Sequence, residues 1–257
     1  MSEKLINRNR DYWTNRAPGY TLVNLDELNG VQKNNWKKHL ESEINTAFPN
    51  RDRSEISILD IGCGPGFFSI ILTEMGYKVT AIDLTEAMLL EAKQNAKDLS
   101  EKIVYKQMNA QKLEFEDCRF DVIISRNLTW NLPEPQKAYS EWCRVLKKDG
   151  LFLNFDANWY HYLFDEEQHT AFLDNRQELV SDGYEDYCAG TDEDEMESIA
   201  RQMPLSRLDR PKWDEACLNS LGMRDFHSIW DIGQHIWSEE EKRNYALTPM
   251  FMVRARK

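Results

Sequence analysis

The stretch ILDIGCGPGFFSI, residues 58–70, sets Gly62, Gly64 and Gly66 between two apolar runs. A strand that ends in such a loop and continues as a helix makes a ligand site, because glycine tolerates positive φ and, lacking a Cβ, lets a ligand approach the backbone. The spacing departs from the dinucleotide fingerprint GxGxxG, which would need glycine at 62, 64 and 67. Residue 67 is Phe, the third glycine is Gly66, and Pro65 fixes φ inside the loop. The next apolar run ends in Asp83, about twenty residues on, where a carboxylate can accept hydrogen bonds from both hydroxyls of a ribose. These residues ask for a nucleoside-containing ligand, and by themselves they still admit a nicotinamide dinucleotide.

The elements that must position this loop alternate in type. SILDIG (57–62), KVTAID (78–83), IVYKQMN (103–109), FDVIISRN (120–127) and LFLNFDA (151–157) read as buried strands. FFSIILTEMG reads as a helix closed at Gly76, and TEAMLLEAKQNAKDLS as a helix opened by Thr85 with Met88, Ala92, Ala96 and Leu99 on one face. PEPQKAYSEWCRVLKKDG reads as a third, with Ala138, Trp142, Val145 and Leu146 inward. Strand–helix alternation predicts an α/β fold with a mostly parallel sheet covered on both faces, and such sheets bind ligands at the carboxyl ends of their strands.

Composition narrows the partners. A formal net charge of -12 disfavours phosphate backbones and anionic lipid, so neither nucleic acid nor a membrane is an expected partner. The chain begins MSEKLINRNR without an apolar leader, and a cytoplasmic location is expected. Cys63, Cys118, Cys143, Cys188 and Cys217 are odd in number and contain no CxxC pair; His39, His161, His169, His227 and His235 contain no HExxH spacing. Reduced thiols and no bound metal are expected.

LDIGCGPG together with AIDLTEAML, MNAQKLEF, FDVIISRN and RVLKKDGLFLNF resembles the class I S-adenosylmethionine-dependent methyltransferases, in the small-molecule group called type 11 or ubiquinone-biosynthesis-like. The resemblance spans residues 56 to about 157 and implies a Rossmann-like, seven-stranded sheet with an antiparallel last strand, and S-adenosyl-L-methionine as cofactor. It implies that Asp60, Gly62, Cys63, Gly64 and Gly66 face the methionine part, that Asp83 holds the ribose, and that Leu84 and Met88 flank the adenine. Asn109 and Ala110 stand where the family usually has Asp-Ala, and an amide there can still accept from the adenine amino group. Ser125 stands where a backbone carbonyl lies near the methionine amine. RDYWTNRAPGYTLVNL resembles the helix and loop folded over the cofactor, with Tyr12, Trp13, Arg16 and Tyr20 offering ring faces and charge to a sulfonium.

The expected organisation is a helical cover over 1–50, a core over 51–158 and 211–257, and a cap over 159–210 that selects the substrate. A helix over 212–221 and strands MRDFHSIWD and PMFMVRARK complete the sheet. The cap carries eight acids and no Lys or Arg from Asp182 to Glu197, read as a solvated, partly mobile face. Arg126, Asn127, Trp130, Asn158, Trp159 and Tyr160 follow strands four and five and are candidates for the substrate cavity. Asp156 or His161 is the candidate general base for a hydroxyl or protonated amine. The reading is methyl transfer to a small molecule through O, N or S, by a monomer or homodimer; a nicotinamide enzyme and a non-catalytic cofactor-binding partner protein remain open.

Overall fold

The computed structural model of the protein describes residues 2–257. In chain order the principal elements are α1 (Ser2–Asn29), α2 (Val31–Ala47), β1 (Ser57–Ile61), α3 (Phe67–Glu74), β2 (Lys78–Asp83), α4 (Glu86–Ala96), β3 (Ile103–Gln107), β4 (Phe120–Arg126), α5 (Pro135–Val145) and β5 (Leu146–Asp156). They continue with α6 (Glu166–Ser181), α7 (Glu193–Ala200), α8 (Lys212–Ser220), β6 (Arg224–Ile229), the short α9 (Gly233–Ile236) and α10 (Glu239–Asn244), and β7 (Phe251–Arg256).

The sheet has seven strands in the order β3-β2-β1-β4-β5-β7-β6. β7 runs antiparallel to both of its neighbours and the other pairings are parallel. The order reverses at β1, which sends the connections after β1 and β4 to opposite faces and opens a crevice above their carboxyl ends.

Side-chain alternation along the strands feeds two cores. Ile58, Val79, Ala81, Val122, Ile124, Leu153 and Phe155 point to the face covered by Trp36, Leu40 and Ile44 of α2 and by α3. Leu59, Ile61, Ile82, Ile123, Phe152 and Val253 point to the other, covered by Ala138, Tyr139 and Trp142 of α5 and by Leu218 of α8.

Three local expectations are corrected. The helix and loop expected at the amino terminus form one helix that continues through Pro18. The missing N–H of Pro18 removes one backbone bond only, and packing against α4, α2 and α7 supplies the rest. The helix expected to reach Gly150 stops at Val145. Asp149 adopts φ 59° and donates its N–H to Lys257 O at 2.9 Å, which draws the chain into β5. The acidic run from Asp182 to Glu197 is not a free solvated face. Arg176 pairs with Asp186 and Glu193, Arg8 of α1 holds Glu195, Arg243 holds Asp182, and Tyr162 donates to Glu197. Its charges fasten the segment after β5 to α1, α6 and α10.

Candidate functional site

The loop after β1 hangs from the end of β2. Gly62 N and Cys63 N both donate to Ile82 O at 2.8 and 3.0 Å, Gly64 N donates to Asp83 Oδ2 at 3.1 Å, and Gly66 N donates to Cys63 O at 2.9 Å. Pro65 has no N–H, and its carbonyl accepts from Asn95 Nδ2 of α4 at 3.0 Å. Every backbone donor from 62 to 66 is thus consumed within the fold. Such a loop presents no nest of N–H groups to a diphosphate.

The glycines divide the work. Gly62 and Gly66 are packing positions, since an added Cβ would lie 2.7 Å from Leu128 Cδ2 and 3.0 Å from the Ala92 Cβ, respectively. Gly64 at φ +51° instead faces open space, its nearest neighbour being the ring of Tyr20 at 3.6 Å.

Above the loop lies a cleft holding about 990 Å³ of space between atoms, its mouth included. Its floor is Asp60, Gly62, Cys63 and Gly64. One end is Asp83, Leu84, Thr85, Met88, Met108, Asn109, Ala110 and Gln111, and the wall beyond β4 is Arg126, Asn127, Leu128, Asn131, Leu132 and Pro133. The roof is α1, which turns Ile6, Asn9, Arg10, Trp13, Tyr20 and Asn24 inward at the spacing of one helical stripe. Phe67 and Phe68 close the back.

Two carboxylates face this space. Asp83 Oδ1 accepts from Thr85 N and Thr85 Oγ1, both at 2.9 Å, and Oδ2 from Gly64 N at 3.1 Å, which leaves a further lone pair on Oδ2. Burial pushes its carboxyl upward, against those hydrogen bonds. Asp60, almost fully buried, accepts from Ser69 Oγ at 2.6 Å, and burial raises its carboxyl to about 6. Opposite charge comes from Arg126, but that guanidinium is bound by both oxygens of Glu27 at 2.6 and 2.8 Å and lies 4.4 Å from the Phe67 ring centroid. Arg10, at the mouth, holds Asp11 at 3.2 Å. The cleft is therefore acid-rich over an apolar slot, a setting for a cation attached to a nucleoside.

Of the residues singled out from the sequence, Asp60, Gly62, Cys63, Gly64, Asp83, Leu84, Met88, Asn109, Ala110, Trp13, Tyr20, Arg126 and Asn127 line this one cleft. Asn109 Oδ1 is partly spent on a turn, accepting from Gln111 N at 2.9 Å. Gly66 supports from behind, and Ser125 is fully buried in β4 with its hydroxyl unpartnered. Tyr12 and Arg16 do not line it: Tyr12 sits edge-on to Trp13, and the Arg16 guanidinium folds over Gly19.

The residues after β5 have other work, which corrects their reading as base and cavity. Asp156 is completely buried and accepts from Ala157 N, Trp130 N, Thr129 Oγ1, Trp159 Nε1 and Arg210 Nη1. Five donors, one of them a guanidinium 3.0 Å away, give it a structural role with no route to a substrate proton. His161 opens a short helical turn outside the cleft lining. Trp130 packs on Tyr160, their centroids 4.8 Å apart, and Asn158 donates to Arg210 O. Asn9, Asn24 and Asn131 are among the cleft residues the sequence reading missed; the helical spacing 6, 9, 10, 13 on α1 was the available signal for the first.

A methyltransferase-domain family model matches residues 59–154. The demethylmenaquinone methyltransferase of Leptospira interrogans is 33% identical over 140 residues, covering 51% of this chain and 55% of that one. The ubiquinone biosynthesis O-methyltransferase of Alkalilimnicola ehrlichii is 30% identical over 110 residues, 42% of this chain and 44% of that one. The chain spans about half the length of these curated relatives. Among solved structures, phosphoethanolamine N-methyltransferase 2 of Haemonchus contortus in complex with S-adenosyl-L-methionine superposes with a TM-score of 0.58 at 18% identity, over 86% of this chain and 52% of that one. That likeness is one of fold. No helix among the described residues is long and apolar enough to cross a membrane.

Proposed function

We propose that this chain, which carries a class I S-adenosylmethionine-dependent methyltransferase domain in residues 59–154, binds S-adenosylmethionine in the cleft beneath α1 and passes its methyl group to a small-molecule acceptor. The observation that carries the reading is the glycine loop whose backbone donors are all used internally, set beside two carboxylates. A dinucleotide needs donors for its diphosphate, whereas a sulfonium nucleoside needs acceptors and an apolar slot.

When bound, the cofactor supplies an electrophilic methyl group on a positively charged sulfur. The residues around it hold and shield. The free lone pair on Asp83 Oδ2 would receive a ribose hydroxyl, with the carboxylate fixed by Thr85 and Gly64 before any ligand arrives. Leu84, Met88, Met108 and Leu132 provide the slot for a base. Asp60 contributes negative charge under the loop, and α1 excludes water by laying Trp13 and Tyr20 across the top. Displacement at a methyl carbon gains chiefly from alignment of the nucleophile in a dry site, which a roof of this kind provides. The segment 159–210, joined to α1 through Arg8 and Glu195, is proposed to select the acceptor.

Titration calorimetry with S-adenosylmethionine, S-adenosylhomocysteine and NADH in parallel tests this. Micromolar binding of the two adenosyl compounds without NADH supports the reading, and binding of NADH alone, or of none, overturns it.

A further inference from the structure

The wall of the cleft beyond β4 carries polar atoms that the fold leaves unused. Asn9 and Asn131 are 7% and 3% exposed and both line the cleft, yet the Oδ1 atoms of Asn9, Asn131 and Asn127 have no hydrogen-bond partner among the described residues. They form one group. Asn9 Nδ2 donates to Asn131 O at 3.2 Å, which fixes the Asn9 oxygen as the free end, and Trp130 Nε1 ties the same turn to Asn127 O at 3.2 Å. Buried carbonyl oxygens are almost always paired, so three orphans where the roof meets the wall beyond β4 mark a place for a ligand with N–H donors.

Position separates them from the nucleoside end. Asp83 ends β2, while Asn127 directly follows β4, two strands further along the sheet or roughly 10 Å at the usual strand spacing, and Asn9 and Asn131 are tied to the same turn. The chemistry of the cleft narrows the ligand further. Neither His nor Lys occurs among the described residues that line it. Its two carboxylates are already engaged, Asp60 by Ser69 and Asp83 by Gly64 and Thr85. A hydroxyl acceptor would find no side-chain base on this wall, whereas the neutral form of an amine, or a thiolate, reacts without one. Between those two, a thiol is a weak donor that would leave the amide oxygens unpaired.

We infer that the methyl acceptor of this cleft is an amine, whose two N–H groups in the neutral, nucleophilic form are received by amide oxygens of the Asn9, Asn127 and Asn131 group. The inference rests on the methyl-transfer reading above. Hydrogen bonds from nitrogen to these oxygens turn its lone pair away from the wall. In the transfer that lone pair forms the bond to the methyl carbon, the carbon–sulfur bond breaks with its electrons going to sulfur, and the positive charge moves from sulfur to nitrogen, which leaves as an alkylammonium product with its protons retained. The rings of Trp13 and Tyr20, on the roof of the same cleft, suit the positive charge that stays on a protonated alkylamine product.

The test uses the full chain with S-adenosylmethionine and a panel of benzylamine, tryptamine, catechol and benzyl mercaptan, with methylated products measured by mass spectrometry from pH 6.5 to 9. Calorimetry of S-adenosylhomocysteine runs alongside. The expected result is methylation of the amines, at rates that rise with pH toward the amine pKa. Asn9→Leu and Asn131→Leu lower kcat/KM for the amine at least tenfold with the Kd of S-adenosylhomocysteine unchanged within twofold, and Asn131→Asp, which keeps an acceptor oxygen, retains activity. Transfer to catechol or the thiol with none to either amine overturns the assignment, as does transfer to none of the four while S-adenosylhomocysteine binds. A parallel loss of S-adenosylhomocysteine affinity in the leucine variants also overturns it, because the oxygens then serve the cofactor. Failure of S-adenosylhomocysteine to bind the unaltered chain strikes instead at the methyl-transfer reading itself.

Discussion

Glu27, in the last turns of α1, and Arg126, the last residue of β4, meet as a two-pronged ion pair, with Nη1 to Oε1 at 2.6 Å and Nη2 to Oε2 at 2.8 Å. Both side chains are buried, and the guanidinium is enclosed by the rings of Phe67, Phe68 and Trp36. This pair seats the roof of the cleft on the sheet. It also removes Arg126 from the list of groups free to meet a substrate.

Glu27→Ala leaves that guanidinium buried without its counter-charge, a change that costs about 3 kcal/mol or more where a buried pair is broken from one side. Urea unfolding of the variant should show a loss of this size, and cofactor affinity should fall as α1 loosens. A loss below about 1 kcal/mol would place the pair among solvated surface bridges.

Gly64 and Gly66 make opposite predictions although both have positive φ. At Gly66, φ +94°, a methyl group would press on Ala92 Cβ at 3.0 Å and Cα at 3.2 Å, so Gly66→Ala should push α3 from α4 and lower the melting temperature sharply. At Gly64 the backbone cost is about 1–2 kcal/mol, and an added methyl meets only the ring of Tyr20 at an ordinary contact distance of 3.6 Å. Gly64→Ala should therefore stay folded while losing affinity for S-adenosylmethionine, because its Cβ enters the cleft. Thermal melts paired with calorimetry separate the two, and normal binding by Gly64→Ala would show that the ligand does not approach this turn.

The contrast shows which parts of the molecule were legible in the sequence. The β-loop-α pattern around Gly62–Gly66, the carboxylate at the end of KVTAID and the strand alternation are local signals, and each is carried by residues close together in the chain. Asp156 was misread because its partner Arg210 lies 54 residues away, and nothing near LFLNFDA indicates that a guanidinium will be buried against it. In the acidic run from Asp182 to Glu197 the same holds for Glu195, whose partner Arg8 stands 187 residues away, whereas Arg176, the partner of Asp186 and Glu193, lies within 17 residues. Asn9 escaped because an amide on an amphipathic helix looks like any solvated polar residue until the turn holding Asn131 is placed against it.

Asp60 makes binding of a cation depend on pH. Burial holds its carboxyl at about 6, so near pH 5 most molecules carry it protonated. A positively charged ligand over the loop favours the carboxylate, and binding below that value must expel a proton. Affinity for S-adenosylmethionine should consequently rise about tenfold from pH 5 to pH 7 and level off above, following the linkage for one group. Asp60→Asn should bind more weakly and without this slope. A flat profile in the unaltered chain would separate Asp60 from the cation.

His39 of α2 should govern stability on the acid side. Its Nε2 lies 3.1 Å from Met252 Sδ, and its ring meets Trp36 and Phe155 at centroid distances of 6.4 and 5.8 Å. Burial, reinforced by the charges of His235 and His227, depresses its pKa from 6.5 to about 4. The unfolded chain takes up a proton near pH 6.5 and the folded chain does not until about pH 4. Its contribution is therefore fully present above about pH 6.5 and is lost progressively as pH falls toward 4, amounting to about 1–2 kcal/mol at pH 5. His39→Phe keeps an aromatic ring against Trp36 and Phe155 but cannot titrate. Urea midpoints at pH 7 and pH 5 should differ less in this variant than in the parent by an amount of that order, and equal differences in both would show that the ring of His39 accepts its proton in the folded state at its ordinary pH.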